Sequence, residues 1–223
     1  PLTSIKGFSQ TMLSSWDKLD DDKKKDFLNI ILSQSQRLIN LVENVLNVAK
    51  IDSNNDNFVM TKVNCCSLLK NCIDVVSINY KDFKFNFKMP KMELFCYIDS
   101  NKAQQILINI LDNSAKYSNN SNIVDINLYS KDDFNVFSIK NYGSCIKNDE
   151  ITRIFEKFYR SDSYISTTTQ GSGLGLYIAN NLAKKMNGYI EVKSNKDSLE
   201  TEFLIYLPIY EVEKITKCIK PES

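Results

Sequence analysis

The sequence contains no histidine in 223 residues and no two cysteines in a C-x-x-C spacing. Protein zinc sites are built mainly from cysteine and histidine, so these two absences argue against a zinc site. The six cysteines stand at positions 65, 66, 72, 96, 145 and 218, several of them within apolar patterns. We therefore expect them to be small core residues of a reduced, intracellular protein.

Two further absences concern charge and long apolar segments. The net charge is only +1, so no basic face is implied and we expect no nucleic-acid partner. No apolar run approaches the length of a membrane span, and no signal-peptide pattern is visible. We therefore expect a cytoplasmic location, with membrane attachment only through segments outside this chain.

Glycine is also scarce, yet three of the six glycines, Gly171, Gly173 and Gly175, alternate ahead of a helical pattern. Glycine lets the backbone approach a ligand closely, and the start of a helix directs free N–H groups at an anion. The spacing matches neither the Rossmann fingerprint nor the Walker loop. A flexible hinge is the alternative interpretation.

The segment 104–118, Q-Q-I-L-I-N-I-L-D-N-S-A-K-Y-S, carries two stripes at helical spacing. The apolar stripe, suited to packing on a sheet, consists of Ile106, Leu107, Ile110 and Leu111. The polar stripe consists of Asn109, Asn113, Lys116 and Tyr117. Two amides, an ammonium and a phenol can together bind a metal, a phosphate and an aromatic ring. Packing of a polar stripe on a neighbouring element is the alternative.

Taken together, these segments resemble the ATP-binding domain of bacterial sensor histidine kinases. The N box of that family resembles residues 109–117, the F box resembles I-F-E-K-F-Y-R at 154–160, and the second glycine box resembles residues 171–176. The closing F-L-I-Y-L-P at 203–208 agrees as well. The opening P-L-T-S-I-K-G-F resembles the segment just after the phosphoacceptor histidine. In the family that histidine begins the motif H-E-x-R/K-T-P, five residues before the proline, and Pro1 would be this proline. The resemblance therefore implies that the acceptor is absent from the chain.

The resemblance also implies roles for individual residues. Asn113 would coordinate Mg²⁺, Asn109 would support the phosphates and metal, and Tyr117 would lie against the adenine. Lys116 and Arg160 would act catalytically on the phosphates, and a guanidinium suits that task because it binds phosphate in a planar fork. A surface salt bridge is the alternative for Arg160. The remaining nucleotide-binding residues would be Asn141, Gly143, Ile146, Lys157, Tyr159, Gly171, Gly173, Leu174, Gly175, Leu176 and Thr201.

The chain departs from the family pattern at the adenine end of the site. The first glycine box should be D-x-G-x-G, but here it is N-Y-G-S-C, so Asn141 and Cys145 replace an aspartate and a glycine. Of the later G-x-G-T only Thr201 remains. Asparagine can still accept the adenine amino proton through its amide oxygen, although its NH₂ group in the opposite orientation would face the donors of adenine.

The pattern of helices and strands predicts an α+β protein, and the resemblance implies that it has three parts. Residues 1–53 are expected to form a helical hairpin for dimerisation and histidine phosphotransfer, truncated just after the acceptor histidine. Residues 54–210 are expected to form a catalytic α/β sandwich of the GHKL (Bergerat) ATPase type, including a short helix at 149–158 and a lid at 161–170. Residues 211–223 are a tail. The hairpin's second helix carries a heptad-like apolar pattern, which favours a homodimeric four-helix bundle.

Three functions are compatible with these features. The first is an ATP- and Mg²⁺-dependent histidine kinase core, which moves the γ-phosphate to a histidine and then to an aspartate of a response-regulator receiver domain. The second is a degenerate relative that binds nucleotide weakly and works as a scaffold or is biased toward phosphatase activity. The third is a serine kinase of the anti-sigma type, against which the N-terminal hairpin argues.

Overall fold

The computed structural model describes residues 1–53, 57–143, 145–160 and 171–211. The chain divides into two compact units, residues 1–53 and the residues from 54 onward. The lid predicted at 161–170 and residues 212–223 of the tail lie outside the described residues. None of the helices in the described ranges combines the length and apolarity that crossing a membrane requires.

The first unit is a helical hairpin. Helix α1 spans Leu2–Ser15, a single 3₁₀ turn follows at Trp16–Lys18, and α2 spans Asp21–Asp52. The Asp20 carboxylate caps α2 by accepting the N–H of Lys23 at 2.7 Å. The rings of Phe8 and Phe27 join the two helices with centroids 5.1 Å apart. The sequence pattern had predicted both helices and the capped turn between them.

One face of α2 remains apolar and exposed. Leu28, Leu32, Ile39, Val42 and Leu46 are all exposed, Leu32 to 68% of its surface. Their spacing of four, seven, three and four residues is a heptad repeat, which is typical of a helix that packs against other helices. The apolar pattern predicted from the sequence is a different set that shares Leu46 with this stripe: Phe27, Ile30, Ile31, Gln34, Leu38, Leu41, Val45, Leu46, Val48 and Ile51.

The second unit combines two sheets with three helices. In chain order its elements are β1 (Thr61–Asn64), α3 (Cys65–Ser77), β2 (Lys84–Lys88), β3 (Phe95–Ile98), α4 (Ser100–Lys116), β4 (Ile123–Lys131), β5 (Phe134–Tyr142), α5 (Gly175–Lys185), β6 (Tyr189–Asn195) and β7 (Glu200–Pro208). The larger sheet has five strands in the order β2-β4-β5-β7-β6. Among the described strands of this sheet, β2 and β4 form the one parallel pair, so the sheet is mixed.

Helix α4 is the central helix of this unit. Its cap is Asp99, whose carboxylate accepts the N–H groups of Asn101 and Lys102 at 3.0 and 3.1 Å. The predicted apolar stripe of Ile106, Leu107, Ile110 and Leu111 is confirmed, because all four side chains are fully buried. At about 25 cal/mol per Å² of apolar surface, such burial provides much of the stability of a helix in this position. The polar stripe is thereby fixed on the remaining face.

Two predicted elements differ in the structure. The helix expected at 149–158 is a series of turns with one short 3₁₀ helix at Arg153–Phe155. Its backbone bonds mostly span three residues, such as Arg153 N–H to Glu150 O, and Phe158 at φ 63° ends the segment. In addition, β3 pairs with β1 in a separate two-stranded sheet rather than within the large one.

Candidate functional site

The polar stripe of α4 lies at the centre of the candidate site. Asn109, Asn113, Lys116 and Tyr117 are all half-buried, so each side chain is held by its surroundings but retains some access to solvent. Asn109 and Tyr117 are eight residues apart, which is about 12 Å along a helix axis. The stripe therefore has room for an elongated ligand, with different residue types at its two ends.

At one end, Asn109 faces the start of α5. A Cβ added to Gly175 would lie 3.5 Å from the Asn109 Oδ1 atom. The Asn109 Nδ2 atom is buried and has no hydrogen-bond partner within the described part of the chain. Because an unsatisfied buried amide costs about 1–3 kcal/mol, its presence here favours a bound group as its partner.

The start of α5 is also suited to an anion. Leu174 occupies the N-cap position, and no side chain among the described residues caps the helix there. The first N–H groups of an α-helix have no partner inside the helix, and the dipole is positive at that end. An anion next to Gly175 would accept from these groups, as phosphates do at other helix starts.

The F box and the second glycine box touch through their backbones. The Phe158 N–H donates to the Gly173 carbonyl at 3.1 Å. A Cβ on Gly173 would lie 2.7 Å from the Phe158 carbonyl carbon, and Gly173 has φ +70°. Only glycine fits this position without displacing the backbone of the F box.

Side chains of the F box hold it in place. The Lys157 ammonium lies 5.0 Å from the ring centroid of Tyr177 on α5. The Tyr159 hydroxyl donates to the Glu150 carboxylate at 3.1 Å, and the Arg153 guanidinium lies 4.6 Å from the Tyr159 ring centroid. Arg160 is exposed at the end of this segment. Both arginines near the F box are exposed, and Arg153 also packs on the Tyr159 ring.

Lys116 is held by an acid that the sequence analysis did not single out. Its ammonium binds the Asp112 carboxylate at 2.5 Å, and the Tyr80 hydroxyl donates to the same carboxylate at 2.8 Å. Burial and the nearby Asp112 raise the pKa of Tyr80, so this phenol remains a hydrogen-bond donor at neutral pH. The Asp112–Lys116 spacing of four residues is a recognisable helical ion pair. The ammonium has three N–H donors, so it can bind a phosphate as well as Asp112.

At the other end of α4, Asn141 faces Tyr117. Asn141 is 1% exposed, and its Nδ2 donates to the Tyr117 carbonyl at 3.3 Å. Because only the NH₂ group can donate, this bond sets the orientation of the amide. A Cβ on Gly143 would lie 2.5 Å from the same carbonyl oxygen, so the residue after β5 must also be small. The Oδ1 atom of the same amide can act only as an acceptor.

The Ser194 hydroxyl joins the other residues predicted for this end, although the sequence analysis did not identify it. It accepts the Ile146 N–H at 2.9 Å and lies 3.1 Å from the Thr201 Oγ1 atom. Thr201 is paired with both Asn141 and Ser194 across the sheet. A cavity of about 530 Å³ opens beside this junction, lined by Ile146, Lys147, Asn148, Asp149, Ser194, Asn195 and Lys196.

Cys145, which stands where the family pattern has glycine, is bound to the end of β6. Its Sγ atom donates to the Asn195 carbonyl at 3.0 Å. The structure thus brings the predicted residues into two groups along α4, one around Asn109 and Gly175 at the middle of the helix and one around Asn141 and Thr201 near its C-terminal end. A Cβ placed on Gly171 has no atom of the described residues within 4 Å, so the structure shows no contact that joins Gly171 to either group.

Exchanging Asn141 for aspartate is expected to lower the free energy of unfolding by about 1–3 kcal/mol at neutral pH. The carboxylate cannot donate to the Tyr117 carbonyl, and one of its oxygens would face that carbonyl in a buried position. Urea unfolding without nucleotide measures the change. Asn120→Asp, at an exposed turn position, is the control and should have almost no effect. Equal midpoints for Asn141→Asp and the parent would contradict this account.

Comparison with known proteins places these features in a family. Residues 98–211 match the model described as "Histidine kinase-, DNA gyrase B-, and HSP90-like ATPase", and residues 1–54 match the "His Kinase A (phospho-acceptor) domain". The sensor protein KdpD of Clostridium acetobutylicum is 30% identical over 208 residues, which cover 93% of this chain and 23% of KdpD. The chain thus spans about a quarter of that relative.

Solved structures share the fold. Full-length ShkA in complex with AMPPNP has a TM-score of 0.74 at 21% identity, covering 95% of this chain and 44% of that one. The histidine kinase ThkA in complex with the response regulator protein TrrA has a TM-score of 0.70 at 20% identity, covering 93% and 58%.

Proposed function

Since this chain belongs to the family of sensor histidine kinases, in which a phospho-acceptor domain precedes a histidine kinase-type ATPase domain, we propose that its second unit binds ATP with Mg²⁺ and transfers the γ-phosphate to a histidine. The observation that carries this proposal is the buried Asn109 amide beside the uncapped start of α5. The AMPPNP complex of ShkA, a protein of the same fold, supports it.

Different residues of the α4 polar stripe bind different parts of the nucleotide in this proposal. Asn113 holds the metal through its amide oxygen, which suits a hard cation, and Asn109 supports the phosphates. The first N–H groups of α5, Lys116 and Arg160 bind the phosphate oxygens. The bound metal would neutralise charge on the phosphates during transfer.

The adenine base is held near Tyr117, beside the C-terminal end of α4. Tyr117 lies against the adenine, and the Asn141 Oδ1 atom accepts from its amino group. A neutral acceptor there is weaker than the aspartate of the family pattern by about 1 kcal/mol, so we expect affinity lower by roughly five- to tenfold. The second candidate function, a weakly binding scaffold or phosphatase-biased relative, gains support from this substitution and from Cys145.

The acceptor histidine must come from outside these 223 residues, because the sequence has none. We assign residues 1–53 to dimerisation and phosphotransfer, residues 54–210 to catalysis and residues 211–223 to a tail. From the histidine, the phosphate would pass to an aspartate of a response regulator. The ThkA–TrrA complex shows such a partner for a protein of the same fold.

An extension of the chain tests the transfer step. Adding His-Glu-Leu-Arg-Thr before Pro1 recreates the family's acceptor motif at the start of α1. With γ-labelled ATP and Mg²⁺, the extended chain should acquire an acid-labile, alkali-stable label, whereas the parent and an extension that begins with alanine should not. Acid-labile label on the parent would refute the assignment of Pro1. A fully unlabelled extended chain that binds ATP would instead favour the scaffold.

The exposed stripe of α2 is expected to form a homodimer. Leu28, Leu32, Ile39, Val42 and Leu46 repeat as heptads and are exposed in a single chain, and a four-helix bundle would cover them. Leu32→Glu, which buries a charge in that interface, should weaken the dimer at least about tenfold. Sedimentation of the parent, of Leu32→Glu and of the control Asn29→Glu measures this. A parent chain that remains monomeric at high concentration would contradict the expectation.

A further inference from the structure

Two cysteines lie against each other inside the second unit. Cys65 begins α3 directly after β1, and Cys96 lies on β3, the strand that pairs with β1. Their Sγ atoms are 3.3 Å apart, and neither residue is exposed to solvent. The contact joins positions 31 residues apart in the chain. Neither thiol has a role in the nucleotide site.

A buried amide is directed at both sulfur atoms. Asn135, on β5 and 1% exposed, places its Nδ2 atom 3.4 Å from Cys96 Sγ and 3.7 Å from Cys65 Sγ. The Ser130 hydroxyl donates to Asn135 Oδ1 at 2.6 Å, which fixes the NH₂ group on the side of the sulfurs. The same NH₂ group donates to the Phe95 carbonyl at 3.0 Å, so the Asn135 amide is anchored beside both sulfurs.

We propose that Cys65 and Cys96 form an intramolecular disulfide in the presence of a small-molecule disulfide such as oxidised glutathione, and that this bond reversibly links α3 to β3. A disulfide is about 2.05 Å long, so the sulfurs must approach by about 1.3 Å. The short two-stranded sheet and the first turn of α3 are the parts that must adjust. This proposal is independent of the proposed kinase function.

The exchange is balanced in atoms and electrons. The thiolate of one cysteine attacks a sulfur of oxidised glutathione, whose S–S bond breaks and releases one glutathione thiolate. The second cysteine thiolate attacks the mixed disulfide, forms the Cys65–Cys96 bond and releases the second glutathione. The two protons lost by the cysteines are taken up by the two glutathione thiolates. Both electrons end on glutathione, which is reduced.

Thiol–disulfide exchange is expected to be slow in the folded chain. The contact with Cys96 and burial raise the pKa of the Cys65 thiol, so little thiolate is present at neutral pH. Strand β1 has only four residues, Thr61–Asn64, and its opening away from β3 would expose both sulfurs. Mild urea should therefore accelerate oxidation.

The test isolates the pair. In a chain with Cys66, Cys72, Cys145 and Cys218 changed to alanine, the two thiols are equilibrated with mixtures of reduced and oxidised glutathione, with and without mild urea. Alkylation under denaturing conditions and mass spectrometry then count free thiols. We expect the oxidised chain to have no free thiol, to be two hydrogens lighter and to unfold at higher urea, because the bond constrains the unfolded chain. Dithiothreitol should reverse all three changes.

Two controls make the outcome decisive. Cys65→Ala in the same background should give only a mixed disulfide of Cys96 with glutathione and no rise in the urea midpoint. In the parent chain, proteolysis and mass spectrometry should find the Cys65–Cys96 linkage, which covers the case in which the alanine variants fold poorly. Free thiols at the most oxidising mixture, or two separate mixed disulfides instead of the internal bond, would overturn the proposal.

The Cys65–Cys96 pair lies far from the proposed nucleotide site, so the disulfide and the kinase function can be tested independently. Asn135 and Asn141 are six residues apart on β5, which is about 20 Å along a strand. The Cys65–Cys96 disulfide should therefore leave the affinity for Mg-ATP unchanged. Failure of the chain to bind ATP would not affect the disulfide result, and a missing disulfide would not affect ATP binding.

Discussion

Replacing Gly173 by alanine is expected to lower the affinity for Mg-ATP by at least about tenfold, or about 1.4 kcal/mol. The new Cβ would lie 2.7 Å from the Phe158 carbonyl carbon and 2.9 Å from the Tyr159 carbonyl oxygen, at a backbone φ of +70°. The F box must therefore move away from the residues that precede α5. The strained conformation should also lower the free energy of unfolding by about 1–3 kcal/mol. Calorimetry and urea unfolding measure the two effects.

Gly171→Ala is the matched control for this experiment. It makes the same chemical change two residues earlier, where a Cβ meets no atom within 4 Å. We expect its affinity and its stability to be close to those of the parent. Equal losses of affinity in both variants would mean that the glycines act only through chain flexibility, and this would contradict a site built on close contact at Gly173.

Replacing Asn109 by leucine is expected to abolish binding of Mg-ATP and to stabilise the nucleotide-free chain. Leucine has the same branched shape as asparagine but no polar atoms, so it removes a buried amide nitrogen that has no partner among the described residues. The gain should be about 1–3 kcal/mol in the free energy of unfolding. A substitution that weakens ligand binding but raises the stability of the free protein is typical of a residue kept for function.

Asn181→Leu provides the comparison. The Asn181 Nδ2 atom donates to the Tyr177 carbonyl at 2.9 Å within α5, so its amide is already satisfied. Leucine there should leave the stability unchanged or lower it, and should leave ATP binding intact. A loss of stability in Asn109→Leu would show that Asn109 is a structural residue, and the site would then lose its main support.

The sequence predicted the elements of the fold better than their pairing. The stripe from Ile106 to Leu111 has a clear helical period, and its burial follows directly from that pattern. The separate pairing of β1 with β3 could not be predicted, because alternation shows that a segment is a strand but not which strand it meets. Residues 149–158 have helix-like composition, yet φ 63° at Phe158 ends any helix there.

For the candidate site, the sequence indicated residue types, and the structure adds the contacts between them. The bonds of Lys116 to Asp112 and of Asn141 to the Tyr117 carbonyl both change what these residues can do. The first could have been found from the four-residue spacing of opposite charges. The second could not, because it joins residues 24 positions apart through a backbone carbonyl.

Titration of the 223-residue chain with ATP tests the central claim most directly. Calorimetry is performed with Mg²⁺, with chelator and with the Asn113→Ala variant. We predict one saturable site per chain, with binding weakened at least about tenfold by removing either Mg²⁺ or the Asn113 amide. We also predict that inosine triphosphate, which lacks the amino group proposed to bind Asn141, binds less tightly than ATP. No saturable binding up to millimolar ATP, or binding unchanged by chelator and by Asn113→Ala, would contradict the claim.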